Sequence, residues 1–189
     1  MAALTPDTIM LATEDVLRRY GPSKATVVDV ARALSVSHAA VYRYFPSKTA
    51  LREAVTRRWL ARANDRLAAG EHLPPPERLR AWLIALFESK RHAAADDPEL
   101  FATYRVLAYE NSAVAAEHVE LLLRQLAAIV AAGVASGDFA TTDPAATARA
   151  VFEATAAFHH PAHAADWTQP DRDKLLADVG TLIVNGLRP

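Results

Sequence analysis

Residues 26–48 read TVVDVARALSVSHAAVYRYFPSK. The stretch opens as a helix does: Thr26 can cap it, and Asp29, three residues on, can close a capping box. Val30, Ala31 and Leu34 follow at helical spacing. Ser35 and Val36 interrupt it, and Ser37 supplies a second cap. Val41 and Phe45 continue one apolar side until Pro46 breaks the helix and Ser47 caps the next. Two short helices joined so tightly must cross closely. They need a small residue where they touch and apolar residues to pin both to a core. Ala31 is the small residue, Ser35 the turn, and Val30, Leu34, Val36 and Val41 the pins, which is helix-turn-helix spacing.

On a wheel of about 100° per residue, Val41 and Phe45 turn toward Val30 and Leu34. Arg43 falls nearly opposite, beside Ala39 and Ala40, with Tyr42 and Tyr44 on the flanks as phenols with free hydroxyls. That outward face suits a DNA major groove. Two alanines let the backbone come close, and an arginine can pair bidentately with guanine. Thr26, Ser37, Tyr42, Tyr44 and Lys48 supply hydroxyls and a cation at the rim, where phosphates lie. Caps and half-buried tyrosines account for these residues one at a time, but they leave an alanine-floored, arginine-topped face without a purpose.

The rest of the chain reads as all-α. Alanine is abundant, glycine is scarce, and no run alternates as a strand does. Thr5-Pro6-Asp7 starts a first helix that Gly21-Pro22 should stop. A long helix is expected from Ser47 to about Ala69, with Leu51, Val55 and Trp59 inward. Gly70 to Pro76 is a proline-rich linker, and the charge balance changes sign there. Residues 1–70 hold 11 Lys and Arg against 6 Asp and Glu, a net of +5, while residues 71–189 hold 10 against 16, a net of −6. A basic head on an acidic body points to a head that meets polyanions. The expected organisation is a three-helix helix-turn-helix head over 1–50, a connecting helix over 51–70, and a larger helical-bundle body over 71–189. The body's expected helices are Pro75–Ala95, Pro98–Asn111, Ala113–Ser136, Pro144–His159 and Asp171–Leu187.

The head resembles the DNA-binding domain of the TetR family of transcriptional regulators. The resemblance is carried by Thr26-Val27-Val28-Asp29-Val30-Ala31, Val41-Tyr42-Arg43-Tyr44-Phe45 and Lys48-Thr49-Ala50-Leu51, about a third of the chain. It implies a homodimeric repressor that reads a near-palindromic DNA operator and is released when a small hydrophobic effector fills the body. By position it implies DNA contacts from Thr26, Ser37, His38, Ala39, Ala40, Tyr42, Arg43, Tyr44 and Lys48. It also implies a dimer built on residues 144–159 and 171–187. Ser35 departs from the glycine often found at the turn. If that residue has a positive φ, serine costs about 1 kcal/mol there.

In the body, Trp82, Phe87, Phe101, Tyr104 and Tyr109 sit at helical spacings. They read either as core or as the wall of an apolar pocket, with Arg105, Tyr109, Glu110 and His118 as orienting polar groups. Ala148, Val151, Phe152, Thr155 and Ala156 form one interface stripe, and Leu175, Val179, Leu182 and Ile183 another. His159, His160 and His163 invite a metal, but no acid lies inside the cluster, and a solvated loop is the expectation; no metal and no cofactor is assigned. No cysteine is present. No Ser/His/Asp set, phosphate-cradling glycine loop or Glu-x-x-His pair appears, so a non-enzyme is expected. The N-terminus lacks a signal-peptide pattern, and the most apolar stretch, Leu126 to Ala135, is too short to span a bilayer. A cytoplasmic location without membrane contact is therefore expected. Two other readings stay open: a small-molecule- or metal-binding helical protein with a structural head, and a helix-turn-helix used for protein contact.

Overall fold

Thr5 caps the first helix as its Thr-Pro-Asp start predicts. In this computed structural model, which describes residues 3–64, 67, 70, 72–110 and 112–189, the Thr5 hydroxyl accepts from the Thr8 amide and the Thr5 amide donates back to the Thr8 hydroxyl. Helix α1 runs Pro6–Lys24. Gly21, at φ 71° and ψ 165°, is non-helical and interrupts this element. The stop expected at Gly21-Pro22 is present, and a short helical turn follows it to Lys24, since glycine tolerates the positive φ.

Helix α2 spans Val27–Ala33 and α3 spans His38–Tyr42. The Thr26–Asp29 capping box and the Ser37 cap are both formed. Between the helices the chain makes a left-handed corner: Ser35 has φ 56°. The Val36 amide bonds the Ala31 carbonyl at 3.0 Å and the Ser35 amide bonds the Arg32 carbonyl at 3.1 Å. These two bonds are a Schellman ending, which satisfies carbonyls that the last turn of α2 leaves open. The positive φ considered for Ser35 from the sequence is present.

Helix α4 spans Lys48–Asn64, α5 Pro75–Asp96, α6 Pro98–Tyr109 and α7 Ala113–Ser136. The expected tail of α4 near Ala69, Glu71 of the linker, and Asn111 fall outside the described residues. Helix α8 spans Pro144–Ala154 and α9 Ala156–His159, followed by a 3-10 turn over Pro161–Asp166 and by α10 over Arg172–Leu187. The single helix expected over 144–159 is broken at Thr155, which leaves helical geometry at φ −102° and ψ 11°. Its hydroxyl bonds back to the Val151 carbonyl at 2.9 Å, a local bond that competes with the helix ladder. The described residues contain no strand.

The chain packs as two compact units, Met1–Arg62 with Ala93–Ala116, and Ala63–His92 with Glu117–Pro189. Packing draws these units, not position in the chain: α6 joins the head helices although it lies beyond the proline linker. Trp59 of α4 sits 6.4 Å from the Phe101 ring and 6.1 Å from the Tyr104 ring, both on α6. Arg18 of α1 reaches Asp97 at 2.6 Å. The core of this first unit is Ile9, Val16, Leu17, Val30, Ala31, Val41, Leu51 and Val55. Glu14 is buried beside it and receives Arg62 at 3.1 Å, Arg18 at 3.3 Å and Arg58 at 3.7 Å.

In the second unit, Leu79, Trp82, Leu83, Leu86 and Phe87 of α5 are buried with Leu122, Leu126, Ile129 and Val130 of α7. Gly133 lets α7 close on Phe139; a Cβ at that position would run into the ring. Helix α7 as a whole is long and apolar enough, by length and composition alone, to cross a membrane. This extends the shorter stretch considered from sequence, and the stripe from Leu122 to Val130 is part of the unit's core.

The corner at Ser35 generates a stability prediction. A side chain at a left-handed position costs about 1–2 kcal/mol that glycine does not. Ser35→Gly should raise the melting temperature by roughly 2–4 °C, and Ser35→Val should lower it, as read by differential scanning calorimetry.

Candidate functional site

Helix α3 presents the exposed face that the wheel predicts. His38, Ala39, Tyr42 and Arg43 are exposed, Ala40 is half-buried and Val41 is fully buried. The regular helix ends at Tyr42, and Arg43 is its last half-helical residue. Phe45 is held by a backbone bond to the Val41 carbonyl at 3.1 Å and is half-buried rather than fully enclosed. His38 meets Tyr42 edge-on at 6.3 Å, so these two rings brace each other along one flank.

The rim of this face is more occupied than the sequence suggests. The Tyr44 hydroxyl donates to the Leu4 carbonyl at 2.9 Å. That corrects the expectation of two free phenols: Tyr44 ties the segment before α1 to the end of the recognition helix. The pair is 40 residues apart in sequence, and no local pattern announces it. The Thr26 hydroxyl donates to Asp29 at 2.6 Å, and this bond is the main cause that holds the Asp29 carboxyl below its ordinary range. Ser37 accepts from the Ala40 amide at 3.2 Å, which leaves its own proton to donate outward. Ser47 caps α4 through the Ala50 amide at 3.0 Å, and Lys48 stands exposed at that helix N-terminus.

Arg52, one turn after Lys48, was missed from sequence. It lines a crevice with Thr26, Lys48 and the apolar Val27, Val30 and Leu51. Its buried Nε has no hydrogen-bond partner in the structure. The i, i+4 spacing from Lys48 was the available signal.

The body candidates fall into both units. Trp82, Phe87 and His118 belong to the second; Phe101, Tyr104, Arg105, Tyr109 and Glu110 belong to the first. Trp82 is buried and donates its Nε1 proton to Gln125 at 3.1 Å. Phe87 packs edge-on against Phe158 at 5.8 Å and Trp167 at 6.4 Å. Phe101 and Tyr104 are buried on Trp59, whereas Arg105 and Glu110 are exposed and Tyr109 is 86% exposed.

His118 has a neighbour that sequence reading passed over. Lys90 is only 4% exposed, and its Nζ lies 2.6 Å from His118 Nε2. His159 is buried in the same unit, with its Nε2 at 2.9 Å from the Phe152 carbonyl and its ring 4.1 Å from the Phe152 ring. The solvated loop expected over His159 to His163 is therefore corrected for His159, which is core; His160 and His163 are exposed, on a 3-10 turn with Pro161 buried. Among the described residues no group of three or more His, Cys, Asp or Glu is placed to hold a metal. The signal for Lys90 was its position on the apolar stripe Leu79, Leu83, Leu86, Lys90. Burial pulls Lys90 down to about 7. Burial, then the charges of Lys90 and His159, pull His118 far below its ordinary value. Burial is also the largest cause that lowers His159 to about 4.

A small three-helix unit with an exposed recognition helix is a DNA-binding helix-turn-helix domain, and a helical body follows it. Residues 9–55 match the model of the bacterial regulatory proteins of the tetR family, and residues 75–180, more than half of the chain, match that of the tetracyclin repressor-like C-terminal domain. The chain belongs to the TetR family of transcriptional regulators. Solved structures agree in fold. A TetR transcription regulator from Haloarcula marismortui is 21% identical, with 96% of this chain and 97% of that one covered and a TM-score of 0.72. The fatty acid degradation regulator FadR from Bacillus halodurans is 22% identical, with 97% and 100% covered and a TM-score of 0.64. RolR, in complex with resorcinol, is 16% identical, with 96% and 86% covered and a TM-score of 0.63. No curated protein matches the sequence.

The buried lysine predicts an unusual pH profile. Unfolded, Lys90 holds its proton up to its ordinary 10.5; folded, it releases it near 7. Between these values the unfolded state binds more protons, so stability rises with pH. Its slope there should approach about 1.4 kcal/mol per pH unit. The two histidines act in the same direction below about 6.5, their unfolded value: stability falls as pH drops and the unfolded rings protonate first. Urea unfolding from pH 7 to 9.5 should show the rise, and Lys90→Met should flatten it.

Proposed function

We propose that this protein is a ligand-responsive repressor that binds a near-palindromic operator as a homodimer and is released by a small hydrophobic effector. The observation that carries the reading is the face of α3. His38, Ala39, Tyr42 and Arg43 stand exposed over a buried Val41. Arg43 and the alanine floor read bases; Ser37, Tyr42, Lys48 and Arg52 position the protein on phosphates, while the Thr26 donors are taken by Asp29. The protein acts by binding, not by catalysis. A body that takes small molecules has a parallel in RolR, whose structure holds resorcinol.

Homodimerisation is supported by the outer face of α10. Its buried residues, Leu176, Gly180 and Val184, occupy one stripe. Of the expected interface stripe, Leu175 at 45% and Leu182 at 72% are exposed, whereas Val179 and Ile183 are half-buried beside the buried stripe. The stripe expected on α8 behaves differently. Ala148, Val151, Phe152 and Thr155 are buried within the chain. The outer side of α8 is instead Ala146, Ala150 and Ala154, all exposed and small enough for close helix contact.

Fluorescence anisotropy on the DNA upstream of the protein's own coding region tests the reading. Binding should exceed that to random DNA, and log K should fall linearly with log salt. Arg43→Ala should cost about 1–3 kcal/mol and relax the base preference, while Lys48→Ala should weaken all sequences alike. Equal affinity for specific and random DNA would refute the proposal.

Leu182→Glu places a charge twice at a two-fold contact. Analytical ultracentrifugation should show the dimer converting to monomer, and operator affinity should drop with it. A monomer before substitution would remove this interface.

A further inference from the structure

We propose that Tyr44 is a positioning residue for DNA reading: by donating to the Leu4 carbonyl it straps the end of the recognition helix to the entry of α1 and holds Arg43 in place before DNA arrives. This rests on the reading above, in which Arg43 meets bases, and adds the residue that sets where Arg43 stands.

A five-residue helix does not hold its own shape, since isolated helices shorter than about 12–15 residues are marginal in water. Helix α3 therefore depends on ties to the rest of its unit. Up to Val41 it has several: the corner at Ser35, the Ser37 cap and the full burial of Val41 itself. Arg43 lies beyond them, at the C-cap. Its amide bonds the Ala39 carbonyl at 3.2 Å, and the Tyr44 and Phe45 amides both bond the Val41 carbonyl, at 3.0 and 3.1 Å. These bonds are local and move with the helix end. Phe45 is only half-buried, and Pro46 follows it. Among the described residues, the hydrogen bond that ties this end to a distant part of the unit is the one from the Tyr44 hydroxyl to Leu4, at 2.9 Å.

The anchor is stiff. The peptide unit between Leu4 and Thr5 is held on both sides: its carbonyl accepts from Tyr44, and its N–H donates to the Thr8 hydroxyl at 2.9 Å. The unit is planar, so two bonds fix its orientation. Thr5 precedes Pro6, which confines it to extended backbone, and it sits there at φ −129° and ψ 162°. Helix α1 then buries Ile9, Val16 and Leu17 in the core. The strap thus runs from the core, through α1 and the Leu4 carbonyl, to the residue next to Arg43.

The same bond decides what Tyr44 does not do. A phenol carries one proton. With that proton given to Leu4, the oxygen keeps only lone pairs, and a phosphate oxygen is itself an acceptor. The DNA contact that the family resemblance implies for Tyr44 is therefore replaced by an internal one. Its contribution is preorganisation: the helix end is ordered in the free protein, so binding does not have to supply that order.

The test uses Tyr44→Phe, which keeps the ring and removes the hydroxyl. In the free protein, the amides of Arg43, Tyr44 and Phe45 should exchange with deuterium faster than in the unaltered chain. By fluorescence anisotropy, operator affinity should fall roughly threefold to tenfold, the change one hydrogen bond sets, while affinity for random DNA stays the same. In the double variant with Arg43→Ala the Tyr44 effect should vanish, because it acts through Arg43. Equal weakening on operator and random DNA would make Tyr44 a phosphate contact and overturn the proposal. Full additivity with Arg43→Ala overturns it as well, as does unchanged exchange at the three amides. A lowered melting temperature with operator affinity intact would reduce the bond to a structural one and also overturn it. If the unaltered protein shows no operator preference, the repressor reading falls, and the exchange comparison on the free protein still decides whether the strap holds the helix end.

Discussion

The left-handed corner at Ser35 governs what the first unit can do. It fixes the direction in which the chain leaves α2, and therefore which side of α3 meets the core. With Ser35 at φ 56° and Val36 bonded back to Ala31, Val41 is driven inward, and Ala39 and Arg43 are left outward. A different corner would rotate a five-residue helix that has too few turns to correct itself by packing. The small side chain of Ala31, buried at this crossing, permits the approach. The exposed face of α3 is thus a consequence of one backbone conformation and the apolar residues that hold it.

Charge is used differently in the two units. In the first, Glu14 is buried and draws in Arg18, Arg58 and Arg62. Those cations are part of the head's formal excess, yet Arg58 and Arg62 tie α4 to α1, and Arg18 ties α1 to Asp97 at the start of α6. Arg32 is likewise held by Asp29 at 3.0 Å. The basic balance read from composition therefore counts cations that are already engaged within the unit. In the second unit the buried charge has the opposite sign. Lys90 enters the core beside two imidazoles, and burial shifts all three toward their neutral forms. A buried acid among arginines braces the first unit.

Much of this was legible locally. The Thr26–Asp29 box, the Ser37 and Ser47 caps, the small Ala31 and the buried Val41 follow from spacing within a turn or two, where sequence separation and spatial separation nearly coincide. Helix α7 spans Ala113–Ser136, the range that its spacing predicts. Features that depend on distant partners were not legible. Tyr44 reads as an edge phenol until Leu4 is seen beneath it. Thr155 reads as mid-helix until its hydroxyl bonds back to Val151 and α8 breaks. The stripe on α8 reads as an interface until Phe152 is found stacked on His159 inside the chain.

By itself the sequence determined an all-helical chain with a helix-turn-helix near its start, because capping, breaking and apolar periodicity act over a few residues. It also determined the family, since the residues that carry the resemblance are those the turn and the recognition helix require. Tertiary structure alone decided which charges are spent on folding, which face of α8 and α10 is left outward, and where basic groups gather in the second unit. Those outcomes depend on side chains brought together from positions dozens of residues apart. Lys90 shows the difference: in sequence it is one more charge on an amphipathic helix, and only the packing of α7 and α9 against α5 turns it into a buried base.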